Sequence, residues 1–94
     1  MIYVIVKHKV KDFHKWKPLF DSHNVVRKAM GSMGGQVFKS LENPNEITII
    51  MKWDSIENAH KFMNLPDLKE TMEMAGVIEK PEVHFLEEMD MVEN

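Results

Sequence analysis

The sequence predicts a single α+β domain with the element order βαββαβ, and three observations lead there. A length of 94 residues fits one small domain with a modest core. β-branched runs of strand length alternate with segments whose apolar residues recur at helical spacing. Gly, Pro and Asn fall at the breaks between them.

The first run, IYVIVKHKV (2–10), is β-branched and then alternates with lysine and histidine, as a strand leaving a core does. Asp12 is placed to cap a helix in which Phe13, Trp16, Phe20 and Met30 recur at helical spacing. Gly31 stops that helix before a flexible glycine-rich connection over 32–35. Pro18 lacks an N–H and clashes with the preceding turn, so either a kink there or a short first turn ahead of the helix proper is expected. QVFKSL (36–41) and EITIIMKW (46–53) flank Asn43-Pro44-Asn45-Glu46, whose Asn and Pro suit the first two positions of a type I turn. These two strands make a hairpin. Asp54, with Glu57 three residues on, gives a capping-box-like start to a short helix that carries Ile56, Ala59 and Met63 on one face. Pro66 opens another helical segment, with Leu68, Met72 and Ala75 on one face and Gly76 as its stop. After Pro81, EVHFLE (82–87) reads as an edge strand, and the acidic residues beyond it as a frayed tail. The order is that of a split βαβ, or ferredoxin-like, plait with an antiparallel sheet.

Composition narrows the chemistry. Without cysteine there is no disulfide, thiolate metal site or Cys nucleophile, and the cytoplasm is the expected compartment. No signal-peptide pattern opens the chain and no run is long enough to span a membrane. The net charge of −3 divides into +6 over residues 1–40 and −9 over residues 41–94. The lysines of the basic half lack a nucleic-acid-binding motif, and the aromatic pattern of an RNA-binding sheet is missing. The charges therefore read as solvated faces, or as complementary surfaces between elements or subunits, with no nucleic-acid partner.

The strand pattern points to a partner of another kind. A plait covers one sheet face with helices and leaves the other to water, so its strands should alternate apolar and polar residues. Here Ile2, Val4 and Val6 oppose Tyr3 and Ile5, and Ile47, Ile49, Met51 and Trp53 oppose Thr48 and Ile50. Both faces are apolar, and the helices suffice for one. A two-fold homodimer packed through the bare sheet faces is the simplest closure.

In element order, size and the passage ITIIMKWDSIENAHKFM, where a strand ends in Trp53 and a helix capped by Asp or Ser follows at once, the chain resembles the dimeric α/β-barrel superfamily that includes antibiotic-biosynthesis-monooxygenase-like domains. The resemblance covers nearly the whole chain. It implies two protomers sharing a barrel, with a ligand pocket between the helices and sheet of each. Members of the superfamily include cofactor-free oxygenases of phenolic or quinol substrates, haem-degrading enzymes and polyketide-cyclase relatives. The haem-degrading branch relies on an Asn in strand one and on a second Trp and a His in the helical stretch after the third strand. Strand one has no Asn here, and Phe62 and Met72 align where the Trp and His would stand, so haem degradation is not expected.

The sharpest candidate site lies on the first helix. At 100° per residue, Phe13, Trp16, Phe20, His23, Arg27 and Met30 share one sector facing the sheet. His23 is the candidate base and Arg27 the candidate holder of an anionic or enol oxygen. The plainer alternative is a histidine satisfied by backbone at the edge of the core, with Arg27 reaching past it to an acid. Tyr3, Trp16, Phe20, Trp53, His60 and His84 are candidate pocket residues, each with an ordinary packing or surface role as its alternative. His8 and His14 rank below them. No His-x-His or His-x-x-x-His pair occurs, so neither a metal nor another cofactor is expected. Nine Met, among them Met30, Met51, Met63 and Met72 at inward positions, suit either a pocket for a flat apolar or aromatic ligand or a soft core. Two functions stay open: a homodimeric, cofactor-independent monooxygenase or cyclase acting on a phenolic or polyketide-like molecule, or a non-catalytic ligand-binding or interaction module.

Overall fold

A computed structural model describes residues 1–94 and contains four strands and four helices. They follow the order β1 (Ile2–Lys9), α1 (Phe13–Ser22), α2 (Asn24–Ala29), β2 (Ser32–Lys39), β3 (Glu46–Trp53), α3 (Ile56–Met63), α4 (Leu68–Met74) and β4 (Glu82–Glu87). The sheet is antiparallel throughout, with spatial order β2-β3-β1-β4, as the ferredoxin-like plait requires. The hairpin turn closes with the Glu46 N–H donating to the Asn43 carbonyl at 3.0 Å. No helix is long and apolar enough to cross a membrane.

Alternation along the central strands separates the two faces of the sheet. Val4, Val6, Ile47, Ile49 and Trp53 point to the helices and are buried with Val10, Trp16, Ala59, Phe62 and Ala75 in one core cluster. Tyr3, Ile5, Thr48 and Ile50 point the other way, joined by Phe38 and Leu86 from the edge strands. No helix lies over this second face, so Phe38 and Leu86 remain exposed.

Local structure differs from the sequence expectations at four places. The first helical stretch runs through Pro18 without ending and breaks instead at His23, between α1 and α2. The cause is competition for the carbonyls of the last turn: Ser22 Oγ donates to Leu19 O at 2.7 Å, and Arg27 Nη2 folds back to Phe20 O at 2.8 Å. The segment 32–35 is the start of β2 rather than a flexible connection. Ser32 pairs with Trp53, and a bulge separates that pair from Gly35 and Met51. Gly34 takes φ +93°, and a Cβ on Gly35 would overlap the Ile50 carbonyl, so these glycines are required by the bulge. The cap of α3 is Ser55, whose hydroxyl accepts from the Asn58 N–H at 3.1 Å, while Asp54 accepts from Asn58 Nδ2 at 2.9 Å. Strand β1 stops at Lys9, leaving Val10 in a single bridge to Val77, and β2 stops at Lys39, short of the exposed Leu41.

Candidate functional site

Between the helices and the covered sheet face lies a cavity of about 90 Å³. Its floor is the row of buried Val4, Val6 and His8 on β1 and buried Ile49 and Trp53, with half-buried Met51, on β3. Trp16, Leu19 and Phe20 of α1 form one wall, and Phe62, Met63, Leu68 and Met72 of α3 and α4 form the other. Leu19 is exposed, and His23, Thr71 and Met72 are half-buried, so these residues mark the mouth. Thirteen of the seventeen lining residues are hydrophobic, which leaves His8, His23, Arg27 and Thr71 to meet any polar atom of a ligand.

The aromatic wall holds the polar groups in place. Trp16 is buried and stacks on Phe20 with ring centroids 4.8 Å apart. The Arg27 guanidinium lies over the other ring neighbour in this series, 3.8 Å from the Phe20 centroid, a cation–π contact. On the sheet side His8 meets Trp16 edge-on at 5.4 Å. The series His8, Trp16, Phe20 and Arg27 thus spans β1, α1 and α2. Trp53 packs against Phe62 at 5.3 Å and closes one end.

Burial sets the protonation states. His8 is pushed below its ordinary pKa by desolvation, so it is neutral at pH 7. Desolvation also lowers Arg27, against a pull upward from the Asp21 charge, and the guanidinium stays cationic. Three buried side-chain nitrogens in the protein have no hydrogen-bond partner: His8 Nδ1, His8 Nε2 and Arg27 Nε. All three belong to residues that line this one cavity.

The structure brings together Trp16, Phe20, His23, Arg27 and Trp53 from the sequence-predicted set, and leaves out Tyr3, His60 and His84. Tyr3 is out of phase with Val4 and faces the bare side of the sheet, where its hydroxyl lies 3.5 Å from a Glu88 carboxylate oxygen. His84 pairs across from Ile5 on that same side, exposed and 2.8 Å from Glu82. Hydrogen bonding to His84, and then its charge, holds the Glu82 carboxyl below the usual range. His60 is exposed on α3 with its ring 4.1 Å from that of Phe85. His8 is the residue that sequence reasoning passed over. Its signal was phase, because it continues the series Ile2, Val4, Val6 onto the covered face. No three His, Asp or Glu side chains converge as a metal set.

Solved structures supply the comparison. A candidate antibiotic biosynthesis monooxygenase from Bordetella bronchiseptica superposes with a TM-score of 0.77 at 19% identity, over 94% of this chain and 96% of that one. SnoaB, a cofactor-independent oxygenase from Streptomyces nogalater, gives 0.78 at 9% identity over 99% and 97%. The chain carries the antibiotic biosynthesis monooxygenase fold. A further protein with this fold, from Caulobacter crescentus, matches with a TM-score of 0.74 at 15% identity over 95% of this chain and 90% of that one. No protein-family model matches the chain, and no curated protein matches its sequence.

Proposed function

We propose that this protein is a cytoplasmic homodimeric enzyme of monooxygenase-like type that acts, without a cofactor, on a phenolic or polyketide-like substrate. The observation that carries this reading is the aromatic-walled cavity whose few polar groups include buried nitrogens without protein partners. Such a site takes up a flat apolar ring and offers hydrogen bonds to an oxygen on it. The fold shared with SnoaB, a cofactor-independent oxygenase, supports the class of reaction. In that chemistry the substrate's own carbanion supplies electrons to dioxygen; one oxygen atom enters the substrate and the other leaves as water. His23, at the mouth, is the proposed base for the substrate C–H, and Arg27 holds the developing oxyanion.

A cavity of about 90 Å³ is smaller than the ~150 Å³ apolar cavity known to admit benzene, so the reacting ring enters only as the half-buried residues at the mouth, His23, Thr71 and Met72, give way. The remainder of the substrate extends past Leu19 and Met72. The bare sheet face, with Ile5, Ile50, Phe38 and Leu86, supports the dimer. Oxygen uptake with a panel of hydroxynaphthalenes and anthrones tests the reading. Turnover that falls at least tenfold in Arg27→Met is expected, and failure of every panel member to bind would overturn it. One observation favours the alternative of a non-catalytic binding module: Arg27 Nη2 is already engaged by the Phe20 carbonyl. In that case members of the panel bind and none consumes oxygen.

A further inference from the structure

We propose that His8 is the proton acceptor of the cavity: its imidazole takes the proton of a ligand hydroxyl, so the site binds neutral phenols or enols and holds them as anions. This deepens, and rests on, the reading of the cavity as a ligand site.

Three features of the structure carry it. His8 is 7% exposed, yet both of its ring nitrogens lack a partner. A buried imidazole is ordinarily anchored by at least one hydrogen bond, and leaving both nitrogens unpaired costs free energy that a well-packed apolar residue would not. The His8 side chain forms part of the floor of the apolar cavity that α1, α2, α3 and α4 enclose against the sheet. The ring is also flanked by aromatics: Trp16 abuts His8 edge-on and is itself buried against Phe20 and Phe13.

In the neutral imidazole, the form that burial favours, one nitrogen carries a lone pair that can accept a proton. The other titratable groups lining the cavity are Arg27 and, at the mouth, His23; no carboxylate is among them. When a ligand O–H meets the lone pair, the O–H bond breaks, an N–H bond forms on His8, and the electron pair stays on the ligand oxygen. No oxidant takes part. The products are an imidazolium and a phenolate side by side, with the Arg27 cation in the same lining, and their mutual attraction in a poorly solvated space offsets the cost of charging His8. His8 therefore selects a hydroxyl on the ring, and a ring without one gains nothing from it.

The test uses the full-length protein with para-nitrophenol, whose anion absorbs at longer wavelength than its neutral form, and with nitrobenzene, which lacks the hydroxyl. Wild type is expected to bind para-nitrophenol about tenfold or more tightly than nitrobenzene. It should also display the anion's absorption at a pH where the free compound is mostly neutral. His8→Phe keeps an aromatic ring beside Trp16 and should lose both effects while still binding nitrobenzene. His8→Gln restores a hydrogen bond without a basic nitrogen, so part of the tenfold preference returns and the anion's absorption does not. Thermal melting of each variant confirms that it is folded. Persistence of the anion's absorption in folded His8→Phe, or equal affinity of wild type for the two compounds, would overturn the proposal and leave the cavity reading standing. Failure of wild type to bind either compound would overturn both.

Discussion

Replacing His8 with phenylalanine should make this protein more stable, an unusual outcome for a buried position. The imidazole occupies a site 7% exposed with neither nitrogen paired, and an unsatisfied buried polar group costs about 1–3 kcal/mol. Phenylalanine removes that cost and keeps an aromatic edge against Trp16. For a domain of 94 residues each kcal/mol corresponds to roughly 4–8 °C in Tm. Differential scanning calorimetry at one protein concentration should therefore show a rise of several degrees, concentration being held fixed because association also moves Tm. The pH dependence gives a second readout of the same residue. Burial places the folded-state pKa of His8 below its ordinary 6.5. As pH falls through 6.5, the unfolded chain takes up this proton before the folded one does. The His8 contribution is thus largest above pH 6.5, declines as pH drops toward the folded value, and is constant below it. The variant should lack that share of the acid slope. A Tm in His8→Phe equal to or below wild type, with the acid slope unchanged, would refute the claim that both nitrogens are unpaired.

Other outcomes follow from the same geometry. Ile50→Asp sets a charge in the middle of the bare sheet face opposite Ile5, and sedimentation should then report the 11.0 kDa chain instead of twice that mass; wild type sedimenting as a single chain at micromolar concentration contradicts the dimer. Gly35→Ala drives a methyl into the Ile50 carbonyl and should cost about 1–3 kcal/mol in urea titrations, so a wild-type midpoint would show that the bulge is dispensable. Trp53→Ala empties a fully buried position between sheet and α3 and should cost about 3–5 kcal/mol, enough to leave a small domain partly unfolded at 37 °C. Lys17→Ala removes an exposed i,i+4 pair with Asp21, and a change above about 0.5 kcal/mol is not expected.

Much of this architecture is legible in the sequence because local and tertiary demands agree. Strands one and three carry β-branched residues at most of their inward positions, Ile2, Val4, Val6, Ile47 and Ile49, and the Asn43-Pro44 turn suits a hairpin. The face formed by Trp16, Phe20, His23 and Arg27 also holds in the structure, although the helix beneath it is broken. That break is invisible locally, since it depends on Arg27 reaching seven residues back to the Phe20 carbonyl. The glycines at 34 and 35 carry no mark that separates a loop from a bulge; the approach of the Ile50 backbone decides it. Tyr3 and His84 could have been set aside from strand phase alone, and the same phase would have promoted His8. What phase cannot reveal is whether a buried imidazole finds a carbonyl. That depends on how the helices sit over the sheet.

The edge-on packing of His8 against Trp16 also supplies the protein with an internal optical gauge. An imidazolium in contact with an indole quenches its emission far more than a neutral imidazole does. Charging of His8 by acid should therefore dim Trp16 specifically, while Trp53, packed against Phe62, keeps its intensity. With Trp53 replaced by phenylalanine, the chain would become a single-tryptophan sensor able to follow events on its cavity floor in real time without any added dye.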